Sequence, residues 1–230
     1  MKLSVIIPVY NEKNTILKII EKVQNVPIEK EIIIVDDGST DGTRDILNQK
    51  SNIKNQISNL KVILKERNEG KGSAIRRGLE EITWDVVVIQ DADLEYEPMD
   101  FLKLIKPIEE GKTKVVYGSR VLSRSKKSSL MFYMGGRILS FITNFLYNTR
   151  ITDEPTCYKM FKAEVIKSIN LKCRKFEFCP EITAKVRKKG YKIIEIPINY
   201  NPRSIKQGKK IRWKDGLIAV WTLVKYKFVD

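Results

Sequence analysis

The feature that most constrains this chain is a set of short, continuous apolar runs, each of which ends in a polar cluster. Leu3-Ser4-Val5-Ile6-Ile7-Pro8-Val9 runs into Tyr10-Asn11-Glu12. Glu31-Ile32-Ile33-Ile34-Val35 runs into Asp36-Asp37-Gly38-Ser39, and Val86-Val87-Val88-Ile89 into Gln90-Asp91-Ala92-Asp93. Runs this short and this rich in β-branched residues read as strands buried on both faces. Between them the pattern turns helical: Ile16, Leu17, Ile19, Ile20 and Val23 follow Asn11, a good N-cap. Further helices are predicted from Ser39 or Thr40 through about Gln49, from Gly70 to about Ile82, and over 98–108. Residues 60–64 and 114–117 complete the strands of this half. Strands alternating with helices predict a parallel sheet with helices on both faces. Ligands bind such sheets beyond the carboxyl ends of the strands, where the three polar clusters would converge.

The second half is less regular. Residues 120–127 form a basic loop. The long apolar segment 128–149 is interrupted by Gly135-Gly136-Arg137; a spanning helix needs about 20 apolar residues and rarely carries a central Arg, so the segment reads as an amphipathic or core helix. A strand over 156–161, a helix over 180–189 and a strand over 193–200 precede a second basic loop, 202–214. A terminal amphipathic helix covers 215–227. The 230 residues suit a single domain, with 1–118 as one half and 119–230 as the other.

Composition narrows the chemistry. There is no histidine, and Cys157, Cys173 and Cys179 form no CxxC pair, so a zinc site of the usual kind and histidine acid–base chemistry are both excluded as expectations. The first residues read as a strand and not as a signal peptide; with an odd cysteine count, this predicts a reducing, cytoplasmic setting. The net charge of +15 is uneven: residues 1–115 hold 18 Lys+Arg and 20 Asp+Glu, residues 116–230 hold 25 and 8. A half with a balance of +17 would attract phosphate groups, anionic lipid or nucleic acid, or is simply a soluble basic surface.

Three motifs carry the candidate chemistry. In Asp91-Ala92-Asp93-Leu94-Glu95 the carboxylates alternate, and hard oxygen ligands without His or Cys favour Mg²⁺ or Mn²⁺; a solvated turn is the plainer alternative. In the stretch 35–43, Gly38 and Gly42 permit a tight turn, and Asp37 is placed to accept from a nucleobase or ribose, or to cap a strand–turn–helix junction. In the stretch 68–74, Gly70 and Gly72 open a helix, whose N-terminus favours phosphate. It is neither a P-loop, because Lys65 stands where its first Gly would be, nor a GxGxxG, because Ile75 stands at the third Gly position.

Together the segments 5–12, 33–43, 68–79, 91–98, 117–120, 152–161 and 180–200 resemble a family-2 glycosyltransferase, with the dolichyl-phosphate mannose/glucose synthase-like branch the nearest, chiefly from Thr156-Cys157-Tyr158-Lys159 and Gly208-Lys209-Lys210-Ile211. The resemblance implies an α/β fold of the GT-A (Rossmann-like) type, a three-layer sandwich with a mostly parallel central sheet. It implies that Pro8, Tyr10, Glu12 and Asp37 hold the base and ribose of a UDP- or GDP-sugar, with Lys71 on the diphosphate and Asp91 and Ala92 near the sugar. Asp91, Asp93 and Glu95 would hold Mg²⁺ or Mn²⁺; Glu95 stands where the branch often has Gln. Transfer is expected with inversion. A hydroxyl acceptor, on a saccharide or protein, needs a general base, for which Asp153 is the candidate. A polyprenyl-phosphate acceptor needs cations instead, and Arg120, Arg137, Arg203, Lys209 and Lys210 are the candidates. The leading expectation is transfer to such a lipid phosphate, with the protein peripheral on the cytoplasmic membrane face, and no nucleic-acid partner. A nucleic-acid-binding module and an idle scaffold are the readings from other classes.

Overall fold

The computed structural model describes residues 1–49, 59–123, 129–203 and 213–229. The strands are β1 Leu3–Val9, β2 Lys30–Asp36, β3 Leu60–Leu64, β4 Val86–Ile89, β5 Val115–Ser119, β6 Lys159–Lys162 and β7 Ile193–Pro197. Among the described residues they form one sheet in the order β3-β2-β1-β4-β6-β5-β7. β1 pairs parallel with β2 and β4, β2 with β3, and β5 with β7. β6 runs antiparallel between β4 and β5, placing Phe161 opposite both Val87 and Val115. The sheet is therefore mixed but largely parallel, and β1, β4 and β5 are buried throughout, as continuous apolar runs require.

The helices are α1 Ile16–Gln24, α2 Thr43–Asn48, α3 Lys71–Leu79, α4 Phe101–Leu104, α5 Lys106–Glu109, α6 Leu130–Tyr147, α7 Ala163–Lys167, α8 Phe178–Lys188 and α9 Trp213–Phe228. Two differ from their expected extents for identifiable reasons. The segment 98–108 is not one helix: a 3₁₀ turn, Pro98–Asp100, leads into α4, and α5 follows beyond Ile105. Pro107 has no N–H to continue the ladder. α2 begins at Thr43 and not near Ser39 or Thr40, because those two residues are spent sideways. Ser39 Oγ accepts from Asn11 N at 2.9 Å, and Thr40 N donates to Asn11 Oδ1 at 2.8 Å. Asn11 correspondingly lies at φ 51° as a loop residue and does not cap α1.

These lateral bonds tie the end of β1 to the end of β2. Glu12 N donates to Thr43 Oγ1 at 2.9 Å and Lys13 N to Asp41 Oδ2 at 3.1 Å. Gly38 makes the β2 turn possible: it lies at φ 73°, and a Cβ there would sit 2.6 Å from the backbone of Arg67 and Asn68.

α6 carries its polarity the unexpected way round. Ser140, Thr143 and Tyr147 are buried with Leu139, while Met131, Met134, Ile138, Phe141 and Phe145 are exposed. Its inner face packs with α8 and α9 around Ala184, Ala219 and Leu223, in a small core separate from that of the sheet. Tyr147 Oη donates to Leu223 O at 2.6 Å. α9 also exposes Trp213, Leu217, Ile218 and Trp221. No helix among the described residues is long and apolar enough to cross a membrane.

Candidate active site

The acidic clusters after β1 and β4 do meet at the strand ends, and each carboxylate has a partner. Asp91 Oδ1 lies 2.5 Å from Lys71 Nζ, at the start of α3. Lys71 arrives there because Gly70, at φ 102°, lets the chain pass against Arg174 O, where a Cβ would sit at 2.5 Å. Asp93 Oδ2 lies 3.1 Å from Arg203 Nη2, and the same guanidinium reaches both oxygens of Glu12 at 3.1 Å. Glu95 accepts from Tyr200 Oη at 2.9 Å and from Arg203 N at 2.7 Å, while its carbonyl accepts from Asn201 N at 2.8 Å. The chain beyond β7 is thereby fastened across the acidic edge, with Tyr96 and Tyr200 paired as an isolated bridge.

Burial and charge pull these groups apart electrostatically. Burial pushes the Asp91 carboxyl up, but the Lys71 ammonium outweighs it and holds the group below the usual carboxylate range. Asp93 goes the other way: burial, then the Asp91 and Glu95 charges, push it up to about 7 against the pull of Arg203. Lys71 is held well above its ordinary value, since the charge of Asp91 overcomes its burial. Cys157, 3.6 Å from Lys71 Nζ, is buried, and its thiol is pushed well up and stays neutral.

Asp37 is 2% exposed. It accepts from Gly70 N at 2.6 Å and from Glu69 N at 3.2 Å, and it pairs with Lys65 Nζ at 2.6 Å. The carboxylate thus links the β2 turn to the start of α3. Its neighbour Asp36 is fully buried, and its Oδ1 has no hydrogen-bond partner among the described residues. Pro8 is a buried β1 residue opposite Val35, Tyr10 is half-buried beyond the strand, and Ala92 is buried between the two aspartates.

A second group of residues forms beside this edge. Asp153, 3% exposed, accepts from Arg120 N and Nε at 2.8 Å and from Nη2 at 2.7 Å. Burial raises the Asp153 carboxyl, yet the charge and hydrogen bonds of Arg120 hold it below the usual range. A carboxylate with both oxygens committed to a guanidinium is a weak proton acceptor at neutral pH, so the geometry does not favour Asp153 as a free general base. Its hydrogen bonds hold the Arg120 side chain, whose guanidinium also lies over the Tyr200 ring, 5.2 Å from its centroid. Arg137 Nη1, from α6, donates to Thr152 O at 2.9 Å. Arg120 and Arg137 therefore meet at one loop, while Arg203 belongs to the acidic edge instead. Lys209 and Lys210 lie outside the described residues.

Lys65, Glu195 and Tyr200 were not singled out from the sequence. Glu195 accepts from Thr152 N at 2.6 Å and Asp153 N at 2.9 Å, so a β7 carboxylate fixes the loop that presents Asp153. Its only local signal is a carboxylate within the apolar run Ile193-Ile194-Glu195-Ile196; Lys65 and Tyr200 have none.

Comparisons with known proteins show which family the chain falls in. Residues 4–169 match the family described as glycosyl transferase family 2. The chain is 31% identical over 221 residues to a dolichol-phosphate mannosyltransferase of Pyrococcus furiosus, covering 91% of this chain and 59% of that one. It is 33% identical over 224 residues to a UDP-N-acetylglucosamine–dolichyl-phosphate N-acetylglucosaminyltransferase of Methanococcus voltae, covering 90% of this chain and 89% of that one. Its fold is similar to that of glucosyl-3-phosphoglycerate synthase of Mycobacterium tuberculosis, solved with Mn²⁺, UDP and phosphoglyceric acid; the TM-score is 0.72 at 19% identity, over 100% of this chain and 79% of that one. The match runs through both strand-end clusters and the loop that holds Arg120, and the chain accordingly belongs to glycosyl transferase family 2, an enzyme of the GT-A fold related to the dolichyl-phosphate sugar transferases.

Proposed function

We propose that this enzyme transfers a hexose from a UDP- or GDP-sugar to a polyprenyl phosphate at a membrane surface. The donor would lie along the strand ends, with its base and ribose toward Pro8, Tyr10, Glu12 and Asp37, and its diphosphate toward Lys71. The donor set beyond β4 is carboxylate oxygen alone, which suits Mg²⁺ or Mn²⁺, although no group of three or more such side chains among the described residues already converges in ligating geometry. Asp91 and Asp93, with Glu95, would hold that ion, which when bound supplies positive charge to the departing diphosphate. Relatives support this reading of the donor, since one names a UDP-sugar and another was solved with Mn²⁺ and UDP.

On the acceptor side, a phosphate oxygen would attack the anomeric carbon as the bond to the diphosphate breaks, the electron pair leaving with the diphosphate. An anionic acceptor needs no strong base, in keeping with Asp153 being committed to Arg120. Arg120 and Arg137 would orient the phosphate. One observation carries the lipid reading: α6 and α9 pack together and expose Phe141, Phe145, Trp213 and Trp221, each at least 66% exposed. Large aromatics on helices that also bear Arg137, Lys214 and Lys225 fit an interfacial, not a spanning, mode of membrane binding.

The second reading keeps the donor and takes a small phosphorylated acceptor, because the structurally similar synthase was solved with phosphoglyceric acid. The two are separated by offering labelled UDP- and GDP-sugars with Mn²⁺ and either polyprenyl phosphate in anionic vesicles, phosphoglyceric acid, or a neutral saccharide. Label appearing only in the lipid phase supports the proposal; label on phosphoglyceric acid alone overturns it in favour of the second reading.

A further inference from the structure

Arg203 reaches the acidic edge from a distant part of the chain and binds it as a cation would. Its guanidinium contacts Glu12 Oε1 and Oε2 and Asp93 Oδ2, all at 3.1 Å, and its Nε lies 4.0 Å from Glu95 Oε1. The side chain is 17% exposed and the three carboxylates 8%, 17% and 9%. This is a desolvated cation among carboxylates, fixed further by its own N–H on Glu95. Asp93 is one of the three residues assigned above to the metal, with Asp91 and Glu95.

We infer that Arg203 is an internal counter-cation that competes with the divalent ion for Asp93, so that the ion enters only as the guanidinium gives up that carboxylate. An oxygen at hydrogen-bond distance from a guanidinium has that lone pair engaged, and a divalent ion seated on the same oxygen would bring two desolvated positive charges together. Asp91 offers a parallel, with the ammonium of Lys71 at 2.5 Å, but Lys71 holds a single carboxylate. Arg203 holds two and touches a third, so its withdrawal changes the charge of the whole edge. The same event would release Glu12, assigned above to the nucleotide, from the guanidinium while Thr15 Oγ1 still donates to its Oε2 at 2.9 Å, and would thereby couple metal entry to donor binding.

This inference rests on the donor-site reading, and its test separates the two. Mn²⁺ binding is measured by titration calorimetry and by the electron paramagnetic resonance signal of free Mn²⁺, using the full chain with and without UDP, in the wild type and in Arg203→Gln. Circular dichroism confirms folding, and Arg203→Lys is the second variant should Gln unfold the chain. Losing one charge-assisted competitor predicts affinity for Mn²⁺ tighter by about tenfold or more in Arg203→Gln. Arg203→Lys, which keeps the charge without the fork, should fall between. Equal or weaker binding in Arg203→Gln would overturn the competition and assign Arg203 to supporting the site, leaving the donor reading intact. No Mn²⁺ binding to either protein, with UDP present or absent, would overturn both.

Discussion

Replacing Asp153 by Asn tests whether this residue positions Arg120 or acts on the acceptor. The substitution keeps the shape and removes the charge, turning one acceptor oxygen into a donor that faces an N–H of Arg120. Three charge-assisted hydrogen bonds, at 2.7 to 2.8 Å, converge on a carboxylate that is 3% exposed. Removing one partner of a buried pair costs about 3–5 kcal/mol. The Arg120 side chain is 23% exposed, so the lower end, about 3 kcal/mol, applies. For a chain of this size about 1 kcal/mol shifts Tm by about 2–4 °C, so Tm should fall by about 6–12 °C near pH 7. The folded-state carboxyl lies below its ordinary value of about 3.9. Its stabilisation is therefore fully present above that value and is lost as pH falls through the depressed one. Thermal and urea unfolding across pH should show wild type and Asp153→Asn converging only in strong acid. A variant within about 1 kcal/mol of wild type at pH 7, with transfer nonetheless abolished, would refute the positioning role and restore Asp153 as a base.

Other substitutions probe the supports of the site. Glu195→Gln places an amide N–H against Thr152 N or Asp153 N and should cost about 1–3 kcal/mol in urea unfolding; an unchanged midpoint would show that β7 does not hold the loop. Gly78→Ala puts a Cβ 2.7 Å from Ile6 Cγ2 and 3.3 Å from Val35 Cγ2, where α3 meets β1 and β2. Overpacking of about 1–3 kcal/mol should exceed the helix-propensity gain of about 1 kcal/mol, and a raised midpoint would contradict this. Phe141→Glu and Trp221→Glu alter side chains that are 72% and 66% exposed, so they should leave Tm unchanged and reduce cosedimentation with anionic vesicles; undiminished sedimentation would argue against membrane docking by α6 and α9.

Much of the sheet was legible because its strands are continuous apolar runs: β1, β3 and β4 have the extents that the sequence predicts. The site clusters were legible for the same reason, since the strands deliver their polar ends to one edge. Local capping was less legible. Asn11, Ser39 and Thr40 look like helix caps but bond to one another across the sheet, and only the tertiary register shows this. The orientation of α6 was hidden because its outward face is the more apolar one, so periodicity points the wrong side inward. Residues acting over long separations left almost no local trace. Tyr200 on Glu95, Arg203 on Glu12 and Lys65 on Asp37 join positions 28 to 191 apart in sequence.

On the reading proposed above, the acidic edge binds a nucleotide-sugar together with a divalent cation. A thermal-shift panel of UDP, GDP and their hexose derivatives, each with and without Mn²⁺, tests it most directly. A ligand at 100 times its Kd stabilises the native state by about 2.7 kcal/mol, which corresponds here to about 5–11 °C. That shift is expected for one nucleotide class, larger with Mn²⁺ than without, and abolished in Asp93→Ala. The absence of a shift with every nucleotide and metal combination would contradict it.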